Sequence, residues 1–78
     1  MFAKLTHVEV AQLWSLREQI FKAAQVDLKD NEEMDSAGVA FLVQWAKSQG
    51  GKLTIYHASD KVRSLIKTFR LEPLFVLK

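Results

Sequence analysis

Three helix-like segments alternate with three strand-like segments along this 78-residue sequence, and that order limits the folds it can adopt. The predicted helices cover residues 6–24, 36–49 and 59–71, and the predicted strands cover residues 25–29, 52–57 and 74–77. Strands that alternate with helices form parallel sheets through right-handed crossovers. We therefore predict one α/β domain over residues 1–78, with helices packed on a mostly parallel sheet.

The ends of the predicted helices carry residues that satisfy free backbone groups. Thr6 and Glu9 have the spacing of a capping box, in which each side chain bonds to the backbone N–H of the other residue. Gly50 and Gly51 can adopt the left-handed conformation that ends a helix, and Ser59 can cap the third helix. These local signals predict the helix boundaries.

The apolar residues of each segment predict which side faces the core. Val26 and Leu28 alternate with polar residues, as expected for a strand with one buried face. The third helix has one apolar side at helical spacing, which we assign to the core. This side consists of Val62, Leu65, Ile66 and Phe69.

The second predicted helix is apolar on more than one side. One face is suited to the sheet and consists of Val39, Leu42, Val43 and Ala46. Phe41 and Trp45 fall to one side of that face on a helical wheel. They either pack beneath neighbouring helices or stay outside, where a large apolar patch would mark a binding surface.

The sequence has no recognisable catalytic or metal-binding pattern. It contains no cysteine, which excludes disulfides, thiolate metal sites and cysteine nucleophiles. His7 and His57 lack the spacing of metal ligands, and the acidic residues between 27 and 35 lack the central Gly and final Glu of a calcium loop. We also find no Gly-rich phosphate loop or nucleophile elbow. We therefore predict a non-enzymatic protein without a metal or cofactor.

The charge of the chain is spread out rather than concentrated. Eleven Lys and Arg residues are interspersed with nine Asp and Glu residues, which gives a formal net charge of +2. The third helix carries the basic residues Lys61, Arg63, Lys67 and Arg70. They could contact nucleic acid, but their spacing is also that of the solvated face of an amphipathic helix. We favour the solvated face and predict no nucleic-acid partner.

The sequence also predicts a soluble cytoplasmic protein. No apolar run approaches the ~20 residues that are needed to cross a bilayer. The first residues lack the apolar core of a signal peptide.

A four-residue motif lies where the acidic loop becomes the second helix, and it consists of Asp35, Ser36, Ala37 and Gly38. The simplest role for Ser36 is that of an N-cap. The motif nevertheless resembles the D-S-x-G signature of STAS domains, the fold of anti-sigma factor antagonists. Its surroundings agree, because a Val-Asp-Leu strand at 26–28 precedes it and an Asp-Lys-Val helix start follows at 60–62. The resemblance is strongest to the small STAS subunits of bacterial ABC transporters that move phospholipids.

This resemblance implies a non-enzymatic accessory subunit that docks on the ATPase of an ABC transporter for intermembrane phospholipid transport and outer-membrane lipid asymmetry. Its contact with the membrane would be indirect, at the inner face of the inner membrane. Ser36 would present the hydroxyl of the family motif at the docking surface, while Asp35 and Gly38 shape the turn. We add Phe41 and Trp45 as flanking contacts with the partner.

The same resemblance leaves a second function open. In a switch of the anti-sigma factor antagonist type, a kinase would phosphorylate Ser36 and so release the domain from its partner. The phosphate would add about −1.5 to −2 charges at the docking face.

The sequence departs from the family pattern at its start. STAS domains usually begin with a pair of strands, whereas the first predicted helix here begins within six residues. If the sequence is complete at its start, and not shortened there or given a misassigned start, the predicted sheet has three strands and an unpaired edge. Such an edge could pair with another chain and lead to self-association.

Overall fold

Helices and parallel strands alternate through residues 2–78, the part of the chain that the computed structural model describes. The strands are β1 (Lys4–Leu5), β2 (Gln25–Asp27), β3 (Glu33–Met34), β4 (Leu53–Tyr56) and β5 (Phe75–Leu77). The helices are α1 (His7–Leu13), α2 (Arg17–Ile20), α3 (Ser36–Ser48) and α4 (Asp60–Thr68), and short 3-10 turns cover Trp14–Leu16 and Glu72–Leu74. The predicted α/β class is confirmed.

The strands form two parallel sheets. The larger sheet has the order β2-β4-β5, in which Val26 lies beside Ile55 and Ile55 lies beside Leu77. This is the predicted three-stranded sheet. The smaller sheet pairs β1 with β3, so that Leu5 lies beside Met34. We did not predict it, because each of its strands has only two residues and β3 lies in a segment that looks like an acidic loop.

The first helix is shorter and more broken than the predicted helix over residues 6–24. It begins with the expected capping box, in which Glu9 Oε1 accepts hydrogen bonds from the backbone N–H of Thr6, at 3.0 Å, and from the Thr6 hydroxyl. The backbone then tightens into a 3-10 turn at Trp14, whose carbonyl accepts from Arg17 Nη1 at 2.8 Å. The same carbonyl also accepts from the backbone N–H of Arg17, and the last helical residue is Ile20.

The helices bury one face of the larger sheet. Leu53 and Ile55 of β4 are buried, whereas Thr54 and Tyr56, which alternate with them, are partly exposed. Val26 and Leu28 are buried as predicted. The other face of the sheet therefore remains partly open to solvent.

The glycine and serine signals that predicted the helix ends around β4 are confirmed. Gly50 and Gly51 follow α3 with φ values of 75° and 98°, in the region that favours glycine. Ser59 caps α4, since its hydroxyl oxygen accepts a hydrogen bond from Val62 N at 3.2 Å. None of the helices within residues 2–78 has the length and apolar character of a membrane-spanning segment.

The predicted core side of α4 is confirmed only in part. Val62 and Ile66 are buried, but Phe69 is 47% exposed. Phe69 is the C-cap of α4, since its N–H still donates to Leu65 O at 3.1 Å, and the chain turns away at Arg70, which takes a φ of 56°. The helical spacing therefore extends to Phe69, but at the end of the helix this side chain is only partly covered.

Candidate docking site at the start of α3

A single carboxylate holds the first turns of two helices together. Asp35 follows β3 in an extended conformation, and its Oδ1 accepts a hydrogen bond from Gly38 N at 3.0 Å in α3. Its Oδ2 accepts from His7 N at 2.9 Å in α1, and His7 Nδ1 lies 3.3 Å from the same oxygen. The N-cap of α3 is therefore Asp35 and not Ser36, the residue that the sequence alone suggested.

The environment of Asp35 favours its ionised form. Partial burial raises the pKa of this carboxyl, but the hydrogen bonds from the backbone N–H groups of His7 and Gly38 and from the His7 ring lower it more. The resulting pKa lies below the ordinary value for Asp. Two helix N-termini, each carrying a partial positive charge, thus meet one carboxylate.

Gly38 allows α3 to lie directly against the backbone of β1. It is buried, and a Cβ added there would lie 1.9 Å from the carbonyl oxygen of Leu5 and 2.5 Å from the Met34 sulfur. Real Cβ atoms do not approach other atoms so closely. The Gly of the motif is therefore required by the packing of helix on strand.

Ser36 is the exposed member of the motif. It is the first residue of α3, and its hydroxyl is not needed for the cap because Asp35 supplies it. Ala37 is half-buried and Gly38 is buried, so the turn presents the Ser36 side chain outward while its other residues hold the frame.

A shallow apolar groove adjoins Ser36, with α3 on one side and the segment after α4 on the other. We call it the α3 groove. It has a volume of about 270 Å³ and is lined by Ser36, Val39, Ala40, Val43, Gln44, Phe69 and Leu71. Phe69, which is 47% exposed, is its largest apolar side chain.

Phe41 and Trp45 do not lie on the surface, so the prediction that they flank an outer docking face is wrong. They are 1% and 2% exposed. The Phe21 ring lies 5.2 Å from that of Phe41 and 5.7 Å from that of Trp45, and Trp45 Nε1 donates to the carbonyl of Ala23 at 2.8 Å. The chain between α2 and β2 therefore covers both aromatics, which is the alternative that the sequence had left open.

The groove residues outside the motif were missed by the sequence analysis. A signal was present, because Ser36, Ala40 and Val43 are spaced to share one side of α3. This side was overlooked in favour of the larger aromatic pair. Phe69 was assigned to the core. Its exposure depends on where α4 ends, and the apolar spacing along the helix does not reveal that end.

The other chemical candidates do not converge on a site. His57 Nδ1 lies 3.0 Å from Asp27 Oδ1, far along the chain from the pair formed by His7 and Asp35. No three acidic or histidine side chains within residues 2–78 come together as metal ligands. The four basic residues of the third predicted helix, Lys61, Arg63, Lys67 and Arg70, are all exposed.

Comparisons with known proteins identify the family of this chain. The profile of the family described as "Mlab, STAS domain" matches residues 3–77. The chain is 35% identical over 63 residues to the "Intermembrane phospholipid transport system binding protein MlaB" of Escherichia coli K12, and equally to the protein of that name from Shigella flexneri. Each alignment covers 76% of this chain and 65% of the relative, so the chain spans less than two thirds of the length of these relatives. No solved structure matches significantly. The chain belongs to the STAS domain family.

Proposed function

We propose that this chain is a non-enzymatic accessory subunit that binds the ATPase of an ABC transporter for intermembrane phospholipid transport and outer-membrane lipid asymmetry. The observation that carries the proposal is the exposed Ser36 beside the α3 groove. The names of the relatives support the choice of system. The chain would act at the cytoplasmic face of the inner membrane, through its partner.

The α3 groove has the properties of a small protein-binding surface. Phe69 leaves almost half of its surface in water, and Ala40 beside it is also exposed. An apolar side chain from the ATPase would remove this area from water, and aromatic residues often dominate the energy of such contacts. The Ser36 hydroxyl, at the rim, can donate and accept a hydrogen bond with the partner.

The other residues of the predicted site act through the frame and not through contact. Asp35 fixes the direction of α3, and Gly38 fixes its distance from β1. Phe41 and Trp45 lie on the buried side of α3 and pack against Phe21. In this proposal, only Ser36 and the lining of the α3 groove touch the partner.

Replacing Ser36 with Glu is expected to weaken binding to the ATPase at least about tenfold. The larger, charged side chain would be desolvated at the edge of an apolar contact, which is unfavourable without a cationic partner. The measurement is isothermal titration of the purified chain with the purified ATPase subunit from the same organism. Ser64→Glu is the matched control, because it makes the same change at an exposed position of α4 outside the groove.

A second pair of variants tests the apolar side of the contact. Phe69→Ala is expected to weaken the same complex about tenfold or more, because an exposed aromatic that is buried on binding is a typical hot spot. Leu16→Ala removes a similarly exposed apolar side chain elsewhere and should leave the affinity unchanged. Failure of the wild-type chain to form a complex with the ATPase would contradict the proposed function. Equal weakening by Ser36→Glu and Ser64→Glu would contradict the proposed site.

A second candidate function is the phosphorylation switch at Ser36. The observation that favours it is that Ser36 is exposed and has no capping role, so a kinase could reach its hydroxyl without unfolding α3. The switch predicts a phosphorylated Ser36 in protein isolated from its native cell under some growth condition, measured by intact mass and phosphosite mapping. Protein that remains unmodified across starvation, envelope stress and exponential growth would rule against the switch.

A further inference from the structure

The turn that ends α4 holds a residue in a conformation that its type disfavours. Arg70 follows the C-cap Phe69 and has a φ of 56°, in the left-handed region. Its N–H donates to Lys67 O at 3.0 Å, and Leu71 N donates to Ile66 O at 2.9 Å. These two bonds define a Schellman motif, whose left-handed position is usually Gly because a residue with a Cβ is strained there. Stability alone would therefore favour Gly at position 70.

Arg70 also lies at the rim of the α3 groove. The residues on either side of it in the chain, Phe69 and Leu71, line the groove, and the Arg70 side chain is exposed. Lys47 is exposed as well, and it follows the lining residue Val43 by about one turn of α3. Residues at this spacing share one side of a helix. The α3 groove is thus an apolar surface with cations beside it.

These cations have no carboxylate partner in the part of the chain that the structure describes. Both ion pairs within residues 2–78 involve a histidine, and neither involves Lys or Arg. Glu72 is the acidic residue nearest to Arg70 along the chain, and it is exposed and forms no ion pair with it. A guanidinium presents a fork of N–H donors that matches a carboxylate. Arg70 can therefore pair with a carboxylate from another molecule.

We propose that the segment of the ATPase that enters the α3 groove carries an Asp or Glu side chain that pairs with Arg70, next to an apolar side chain that covers Phe69. This inference rests on the proposed function, because it names the chemistry of the partner at the same site. Burial of Phe69 removes water from around the ion pair and so strengthens it. Lys47 adds attraction at longer range, which speeds association. A role in binding also explains why a strained Arg occupies the turn.

Two substitutions of Arg70 separate binding from stability. Arg70→Asn removes the charge but keeps a residue type that tolerates a left-handed φ, and it should weaken the complex with the ATPase about tenfold. Arg70→Gly should weaken the complex by a similar factor. It should also raise the melting temperature of the free chain by about 4 °C, because the strain in the turn is relieved. A residue that only stabilised the fold would not show both changes.

Two further variants serve as controls. Arg70→Lys keeps the charge but not the fork of donors, so its affinity should lie between those of wild type and Arg70→Asn. Lys61→Asn removes a charge at an exposed position at the opposite end of α4 and should leave the affinity unchanged. The measurements are isothermal titration with the purified ATPase subunit at about 50 and 300 mM salt and thermal unfolding of the free chain. Salt should weaken the wild-type complex more than that of Arg70→Asn, because it screens the ion pair.

The outcomes distinguish this inference from the proposed function. A wild-type chain that forms no complex with the ATPase would overturn both. A complex that Phe69→Ala weakens, but that Arg70→Asn and Arg70→Gly leave intact, would overturn the carboxylate pair alone. An Arg70→Gly chain that is less stable than wild type would also overturn it, because the fold itself would then require the Arg side chain.

An anionic membrane surface is the other chemistry that Arg70 could contact. Co-sedimentation with vesicles of phosphatidylethanolamine and phosphatidylglycerol tests it. We expect Arg70→Asn to change ATPase binding and not vesicle binding. The reverse result, in which vesicle binding is lost and ATPase binding is kept, would assign the cation to a lipid surface and overturn the inference.

Discussion

The Gly38→Ala variant is expected to lose about 3 kcal/mol of its free energy of unfolding, the upper part of the usual range for inserting atoms into a packed site. The added Cβ would lie 1.9 Å from Leu5 O, and this neighbour is backbone in a strand that is itself paired with β3. Relief therefore requires α3 to move away from β1. In a domain of this size, a loss of 3 kcal/mol lowers the melting temperature by about 15 °C.

Helix propensity alone predicts that Gly38→Ala increases the free energy of unfolding, so the direction of the measured change distinguishes the two effects. Ala is favoured over Gly inside a helix by about 1 kcal/mol. The matched control is Ala40→Gly, an exposed position of α3 where only this propensity acts, and it should cost about 1 kcal/mol. Thermal and urea unfolding of the three proteins gives the answer. A Gly38→Ala variant as stable as wild type would show that α3 does not lie against β1 as described.

The two structural positions of the D-S-x-G motif have separate physical roles here. Asp35 caps α3 and binds the first N–H of α1, and Gly38 permits the contact of α3 with β1. Neither role involves the Ser36 hydroxyl. The motif thus forms a frame that leaves one hydroxyl exposed at a helix start, and for this reason we propose Ser36, and not its neighbours, as the partner contact.

The parts of the fold that depend on local chemistry could be predicted from the sequence. The capping box of Thr6 and Glu9 and the cap at Ser59 involve residues three apart, so tertiary structure hardly affects them. Gly50 and Gly51 end α3 for a similar local reason. The three strands of the larger sheet were predicted to within two residues because their apolar side chains are consecutive or alternate.

The parts that depend on distant contacts could not be predicted in the same way. Two-residue strands such as β1 and β3 have too few side chains to show alternation, and each exists only because the other lies beside it. The burial of Phe41 and Trp45 depends on where Phe21 lies after the helix breaks at Trp14. The α3 groove could not be predicted either, because one of its sides depends on where α4 ends.

The second large effect is expected at Asp35. Replacing it with Ala should cost about 2 kcal/mol in the free energy of unfolding at pH 7, because α3 loses its N-cap and His7 N, at the start of α1, loses a hydrogen bond to a charged group. Asp35→Asn, which keeps the shape of the side chain without its charge, should cost less than Ala. Asp27→Asn is a matched control, since Asp27 also accepts hydrogen bonds but does not cap a helix, and it should cost less than Asp35→Asn. Urea unfolding measures all four proteins, and an equal cost at both Asp positions would contradict this role of Asp35 at the starts of α1 and α3.

The lowered pKa of Asp35 predicts how its effect changes with pH. Because the folded state holds the ionised form, its stabilising effect is fully present above the ordinary Asp pKa of about 4 and is lost as the pH falls through the lower folded value. The difference in stability between wild type and Asp35→Asn should therefore shrink as the pH falls from 5 toward 2. Glu9 and Asp27 also have lowered pKa values, from bonds to Thr6 and Lys29 respectively, so the difference between the two proteins is informative and the acid sensitivity of wild type alone is not. A difference that stays constant over this range would mean that the Asp35 carboxylate does not hold α1 and α3 through its charge.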